Sequence, residues 1–316
     1  MNVLLTNIAQ AVLMVLAAPL AAGMIKKIKA RLQNRQGASV MQPYRDLRKL
    51  FGKEVLLAEH ASWIFRAAPY VVFTATVMAA SVVPAVIVDS PFALTADVIA
   101  LAGLLAISRF FTALAGMDIG TAFGGMGASR EMTFSALAEP AMLMSIFVLS
   151  VVAQSTNLST MIHHVLQTGL VLYPSIAFAL IAMLMVAVAE NGRIPIDNPA
   201  THLELTMIHE AMILEYSGRH LALIEWASQI KLLLYATLIV DLFFPWGIAV
   251  SAHLPVLAVA LLAWALKLLM LFLLVALMET GLAKMRLFEV PQYLSMAFFL
   301  ALLGMFTHYI LEVGVL

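Results

Sequence analysis

The sequence predicts an all-α polytopic membrane protein with eight transmembrane helices and both termini on the outer side. Three observations predict it. Of the 316 residues, 63% are hydrophobic and only 11% charged, against about 25% charged in a soluble domain, so too few polar side chains remain to clothe a water-facing surface. The mean hydropathy is +0.99. The basic residues fall in only some of the segments between apolar runs, as the positive-inside rule requires. The 18 Lys and Arg balance 18 Asp and Glu, so the chain lacks the basic footprint of a nucleic-acid binder. Cys is absent, which excludes disulfides and thiolate-held zinc or iron–sulfur centres within the chain.

A helix needs roughly 20 mostly apolar residues to cross the hydrocarbon layer. Such stretches lie at about 4–24, 67–88, 97–116, 133–153, 170–189, 231–250, 254–277 and 293–313. In the first, Lys26 and Lys27 follow the apolar run, which suits an uncleaved span better than a signal peptide. Leu261 to Met278 shows none of the alternation of a barrel strand. The segment 25–66 holds ten of the 18 basic residues and is placed in the cytoplasm. Alternating eight spans then puts 117–132, 190–230 and 278–292 inside, with Arg130, Arg193, Arg219, Lys284 and Arg286. The outside loops carry no Lys or Arg. The whole chain, 1–316, reads as one integral membrane domain. Within the loop 190–230, Asp197-Asn198-Pro199 resembles a helix start, and a helix over about 199–216 is expected, with Glu204, Ile208 and Glu215 on one face.

Ionisable groups inside spans are expensive and need a partner or a task. Glu139, followed by Pro140, stands in the fourth span; it is either a proton-passing carboxyl or the partner of a cation such as Arg109 or Arg130. Lys267 in the seventh span is too deep to snorkel and is read as a proton relay or, preferably, the counter-charge of a carboxylate. Asp241 is read as a solvated end residue. The acidic run Glu190, Asp197, Glu204, Glu210, Glu215 and Glu225, with Arg193, is separated by residues too apolar for a free loop; these carboxylates are expected to be held against other protein, where neighbouring acids exchange protons. Two motifs fail. His209-Glu210 begins like a zinc-protease helix but lacks the second His, and the glycine-rich stretch Gly116–Gly127 lacks the Lys-Ser/Thr ending of a phosphate loop. Close packing or a turn accounts for those glycines.

Gln33-Asn34-Arg35-Gln36-Gly37, followed by Gln42-Pro43 and the run Asp46 to Glu54, resembles the first cytoplasmic loop of a family of membrane subunits of NADH–quinone oxidoreductase (complex I). Ala189-Glu190 with Arg193, Pro195 and Asp197 is similar to that family's A-E-x-x-R-x-P-x-D pattern, and Gly127-Ala128-Ser129-Arg130 precedes Glu139 as it does there. The departures point to a branch. Ala200 and His202 replace acids of the quinone-reducing members, Glu279 stands where they carry Arg, and Ala38-Ser39 replaces a Pro-rich turn. These features, with Glu215-Tyr216-Ser217-Gly218, resemble hydrogenase-4 component C and formate hydrogenlyase subunit 4.

The resemblance implies a non-redox membrane subunit with no cofactor of its own, in a bacterial or archaeal cytoplasmic membrane. It implies a nickel–iron centre and iron–sulfur clusters in partner subunits: hydrogenase large and small subunits, an iron–sulfur subunit, and antiporter-like membrane subunits. Arg35, Gln42, Asp46, Lys49, Lys53 and Glu54 are the expected docking residues; acids interleaved with bases suit a protein interface better than a patch for anionic lipid. Glu139, Glu190, Glu204 and Glu215 are the expected proton-transfer groups, with Arg130, Arg193, Asp197 and Lys267 beside them. A quinone-binding subunit of a complex I-like enzyme and a free-standing ion transporter are the competing readings.

Overall fold

In lipid every backbone N–H and C=O must be satisfied within the protein, which leaves helices as the solution for a chain this apolar. The computed structural model describes residues 3–58, 60–88, 97–168, 173–197, 207–251 and 253–312, and among them no strand occurs, only two isolated bridges, Ile87 with Ala249 and Asp97 with Asn157. The helices are α1 (Val3–Leu32), α2 (Gln42–Phe51), α3 (Trp63–Val82), α4 (Val98–Asp118), α5 (Ala122–Ala153), α6 (Leu158–Thr168), α7 (Pro174–Glu190), α8 (His209–Ile213), α9 (Gly218–Phe243), α10 (Leu254–Gly281) and α11 (Val290–Thr307). Among the described residues, seven helical segments are long and apolar enough to cross a membrane: α1, α3, α4, α5, α9, α10 and the segment Leu287–Leu311 around α11. α7 is apolar but has 17 residues.

Several helices run past the ends that the apolar stretches suggest. α1 continues through Lys26, Lys27 and Lys29. α5 begins at Ala122 instead of near 133, so three of the supposed loop glycines, Gly124, Gly125 and Gly127, are helical. α9 begins at Gly218 instead of near 231, and ends at Phe243 instead of near 250. The helix expected over 199–216 falls partly on 198–206, outside the described residues; beyond them it is only the short α8, and the chain turns at Leu214 and Glu215. That turn is fixed from both sides. Tyr216 stacks on Phe65 with ring centroids 3.9 Å apart and donates to the Phe65 carbonyl at 2.9 Å. Gly218 takes φ +53°, and a Cβ there would lie 2.5 Å from the Glu54 carbonyl oxygen. Burial, with Asp118 nearby, pushes the Tyr216 hydroxyl well above its ordinary pKa, so it stays a donor.

The glycine-rich corner is a packing device, as expected. A Cβ on Gly124 would lie 2.2 Å from the Gly116 carbonyl oxygen, so α4 and α5 meet backbone to backbone. α8 is seated on the same surface. A Cβ on Gly127 would meet both the Ile208 carbonyl and the Ala211 Cβ at 2.9 Å. α9 is the axis of the bundle, packing against α1, α3, α7 and α10, and its second half is buried on every side. α2 is a short amphipathic helix laid against α1 and α9, with Pro43 and Leu47 buried and Arg45, Asp46, Arg48 and Lys49 exposed.

Candidate functional site

A cavity of about 500 Å³ opens at one end of the bundle and reaches to the middle of α3, α4 and α9. Its volume lies in the range of small-molecule sites, yet its walls are charged. They include Lys26 and Lys29 from α1, Arg109 from α4, Glu131 from α5, Glu190 and Arg193 at the end of α7, and Lys231 from α9.

These charges pair in a definite order. Arg109, 6% exposed, gives one guanidinium nitrogen to Glu139 of α5 and the other to Glu190. The second oxygen of Glu190 lies 2.8 Å from the Lys231 ammonium. Glu139, Arg109, Glu190 and Lys231 thus form a file across α5, α4, α7 and α9, from a side chain 37% exposed to groups inside the cavity. The fork of an arginine suits this place, because two separate carboxylates need two separate donors in fixed directions. Glu279 of α10 forms a second centre, accepting from Lys29 at 2.8 Å and Arg193 at 3.0 Å. Asp197 accepts from Lys284 at 3.0 Å and from the Ile208 N–H at 3.3 Å. His209 lies 3.3 Å from Glu131. A buried charge without a partner costs several kcal/mol, and each of these buried carboxylates has a cation or an N–H against it.

The structure brings Glu190, Arg193 and Asp197 to the cavity and joins Glu139 to them through Arg109, the first of its two expected cations. Arg130, the other, donates instead to the Met207 carbonyl at 2.9 Å. Glu210 and Glu225 line the cavity, whereas Glu215 is exposed and apart from it. Glu204 lies outside the described residues. Asp241 is not a solvated end residue. It is 1% exposed and accepts from Lys267 at 3.1 Å, away from the cavity, because α9 ends past it at Phe243 inside the bundle. Of the docking set, Arg35, Asp46, Lys49, Lys53 and Glu54 are exposed, and Gln42 donates to Asp46 at 2.8 Å.

Sequence reasoning missed Lys231 and Glu131. Both sit at or just before the start of an apolar stretch, where a charge reads as a solvated flank, but the helices themselves begin well upstream; Lys231 is at the midpoint of α9. Among the described residues, no group of three or more His, Cys, Asp or Glu side chains is arranged to hold a metal ion.

Residues 5–309 match the family model described as NADH dehydrogenase. The chain is 37% identical over 297 residues to hydrogenase-4 component C of Escherichia coli (strain K12), covering 94% of this chain and 93% of the relative. It is 35% identical to formate hydrogenlyase subunit 4 of the same organism, over 90% of this chain and 91% of the relative. With an NADH-quinone oxidoreductase subunit of Phocaeicola vulgatus the identity is 28%, over 73% of this chain and 66% of the relative. Among solved structures, a chain of the membrane-bound sulfane sulfur reductase, an archaeal respiratory membrane complex, shares the fold with a TM-score of 0.80 at 19% identity, over 97% of this chain and 99% of that chain.

Proposed function

The chain belongs to the NADH dehydrogenase family, and from that premise we propose that it is the membrane anchor and proton-coupling subunit of a group-4 nickel–iron hydrogenase or formate hydrogenlyase-type complex. Two relatives above 30% identity are hydrogenase and formate hydrogenlyase subunits and match over nine-tenths of the chain. It is a multi-pass membrane protein. Counting α7 as a span makes eight, with both ends on one side; the charged cavity end, with Lys26, Lys29, Arg193 and Lys284, then faces the cytoplasm. The exposed charges of α2 and the following loop are the proposed seat of the soluble arm. Its large, small and iron–sulfur subunits would hold the nickel–iron centre and clusters that supply the redox chemistry, and antiporter-like subunits would adjoin in the membrane.

The observation that carries the proton-coupling role is the file Glu139–Arg109–Glu190–Lys231. One proton added to Glu190 releases Arg109 and Lys231 together from their shared anion. The freed positive charge then strengthens the hold of Arg109 on Glu139, so a charge change in the cavity is felt at the half-exposed carboxylate. Arg130, Arg193 and Asp197 keep neighbouring groups ionised, and Glu204 and Glu215 are the further proposed proton-transfer groups. The test is hydrogen turnover and proton uptake measured on the same purified complexes carrying Glu139→Gln or Glu190→Gln, which keep shape but cannot release a proton. Assembly and turnover should persist while their link to proton movement weakens. Wild-type values of both quantities in both variants would make these carboxylates structural. A quinone site is the second reading, favoured by the cavity's volume; quinone extracted with the purified complex would support it.

A further inference from the structure

We propose that Asp241 and Lys267 form a second proton-bearing station, set in the half of the bundle opposite the cavity. The proposal rests on the proton-coupling reading above. Asp241 lies ten residues beyond Lys231 on α9, about 15 Å along the helix axis, and lines no part of the cavity. Lys267, on α10, is 8% exposed and donates to Asp241 Oδ1 and to the Phe244 carbonyl, both at 3.1 Å.

Two features set this pair apart from a plain structural tie. Asp241 Oδ2 is buried and has no hydrogen-bond partner among the described residues, so the carboxylate keeps a free position for a proton or a water that brings one. A buried ion pair is also often no more stabilising than apolar side chains of the same volume, so stability alone gives little reason to place one among the leucines of α10. The charge balance is simple. The pair is neutral when Asp241 is ionised and Lys267 protonated. A proton arriving at Asp241 Oδ2 makes it net positive. Loss of one proton from Lys267 restores neutrality, and transfer from Asp241 to Lys267 resets the pair; only O–H and N–H bonds form and break. Of the described elements packed against α9 and α10 at this level, α1, α3 and α7 bring no titratable side chain, and α6 carries His163 and His164.

The experiment uses the whole complex in proteoliposomes and reads hydrogen turnover together with proton movement, reported by a pH-sensitive dye. The variants are Asp241→Asn, Lys267→Met, the neutral double Asp241→Asn/Lys267→Met, and Glu190→Gln. The first three should assemble and turn over hydrogen, with proton movement lost in each. Restored movement in the double variant, or failure of all three to assemble, would mark the pair as a structural pin and overturn the proposal. Loss in Glu190→Gln with wild-type movement in Asp241→Asn would sink this inference alone. The reverse pattern would remove the cavity file from the proton route and leave in place both the subunit's proton-coupling role and this inference, which rests on it. A wild-type complex that moves no protons would overturn both.

Discussion

Replacing Arg109 by Met removes the guanidinium from between Glu139 and Glu190 while keeping a side chain of similar length. Taking one partner from a buried ion pair costs about 3–5 kcal/mol, because the other charge stays behind unpaired. Two features of the site place Arg109→Met at the low end of that range. Glu190 keeps Lys231 at 2.8 Å, and Glu139 is 37% exposed, so its charge is partly solvated. The expected loss is therefore about 3 kcal/mol, or about a hundredfold in the folded-to-unfolded ratio. Unfolding in mixed micelles, followed by the fluorescence of the four tryptophans, measures it; Trp226 and Trp264 are packed within the bundle and will report the collapse of α9 against its neighbours. Adding Glu139→Gln should recover part of the loss, since it removes the carboxylate left without a cation. Arg109→Lys should not restore wild-type stability, because one ammonium cannot reproduce the two-pronged geometry. A loss below about 1 kcal/mol, or full rescue by lysine, would refute the view that Arg109 ties α4, α5 and α7 together.

Gly127→Val should destabilise by about 1–3 kcal/mol or more through overpacking, since the site has no room even for a Cβ between α5 and α8; the same unfolding measurement decides it, and unchanged stability would count against the close approach. Lys49→Glu with Lys53→Glu should release the soluble arm from a membrane subunit that remains inserted, as scored by co-purification; an arm retained in full would move the docking surface elsewhere. The absence of native Cys makes single-cysteine labelling clean. Positions 45 and 219 should react from the cytoplasmic side and 163 and 253 from outside, and labelling of 163 only from the cytoplasm would reverse the topology.

Helix identity was legible from composition because the bilayer leaves a chain this apolar few alternatives. Helix ends were less so. A run of apolar residues marks where hydrocarbon surrounds the helix, but α5 and α9 continue into a region where protein surrounds them and polar side chains are tolerated. That one displacement made Lys231 look like the first residue of a span and Glu131 like a loop residue just before one, and turned Gly124 and Gly127 into supposed loop residues. Asp241 was misjudged for a different reason: it does stand in the last turn of α9, which stops at Phe243, but that turn is buried in protein, so a place near a helix end did not mean a place in water. Glu190, Arg193 and Asp197 were legible because they crowd into eight residues. Arg109 stood out only as a possible partner of Glu139, since sequence spacing contains nothing about which of two cations a carboxylate will face.

The order in which these groups leave the ribosome has a consequence for how the protein is made. Arg109 precedes Glu139 by 30 residues and Glu190 by 81. At about 5–20 residues per second, Glu190 follows about 4–16 s behind, and Lys231 later still. During that interval α4 carries a guanidinium into the bilayer at a cost of about 2.5–3.5 kcal/mol on the insertion scale, with its buried partner Glu190 not yet synthesised. The 21 residues of α4, at a mean hydropathy of 2.0, can bear that cost, but the first relief available is Glu139 on the very next helix. Only Ile119, Gly120 and Thr121 separate the two helices, so α4 and α5 are built to enter as one hairpin that brings its own counterion, and α7 then docks on a cation already waiting in the membrane.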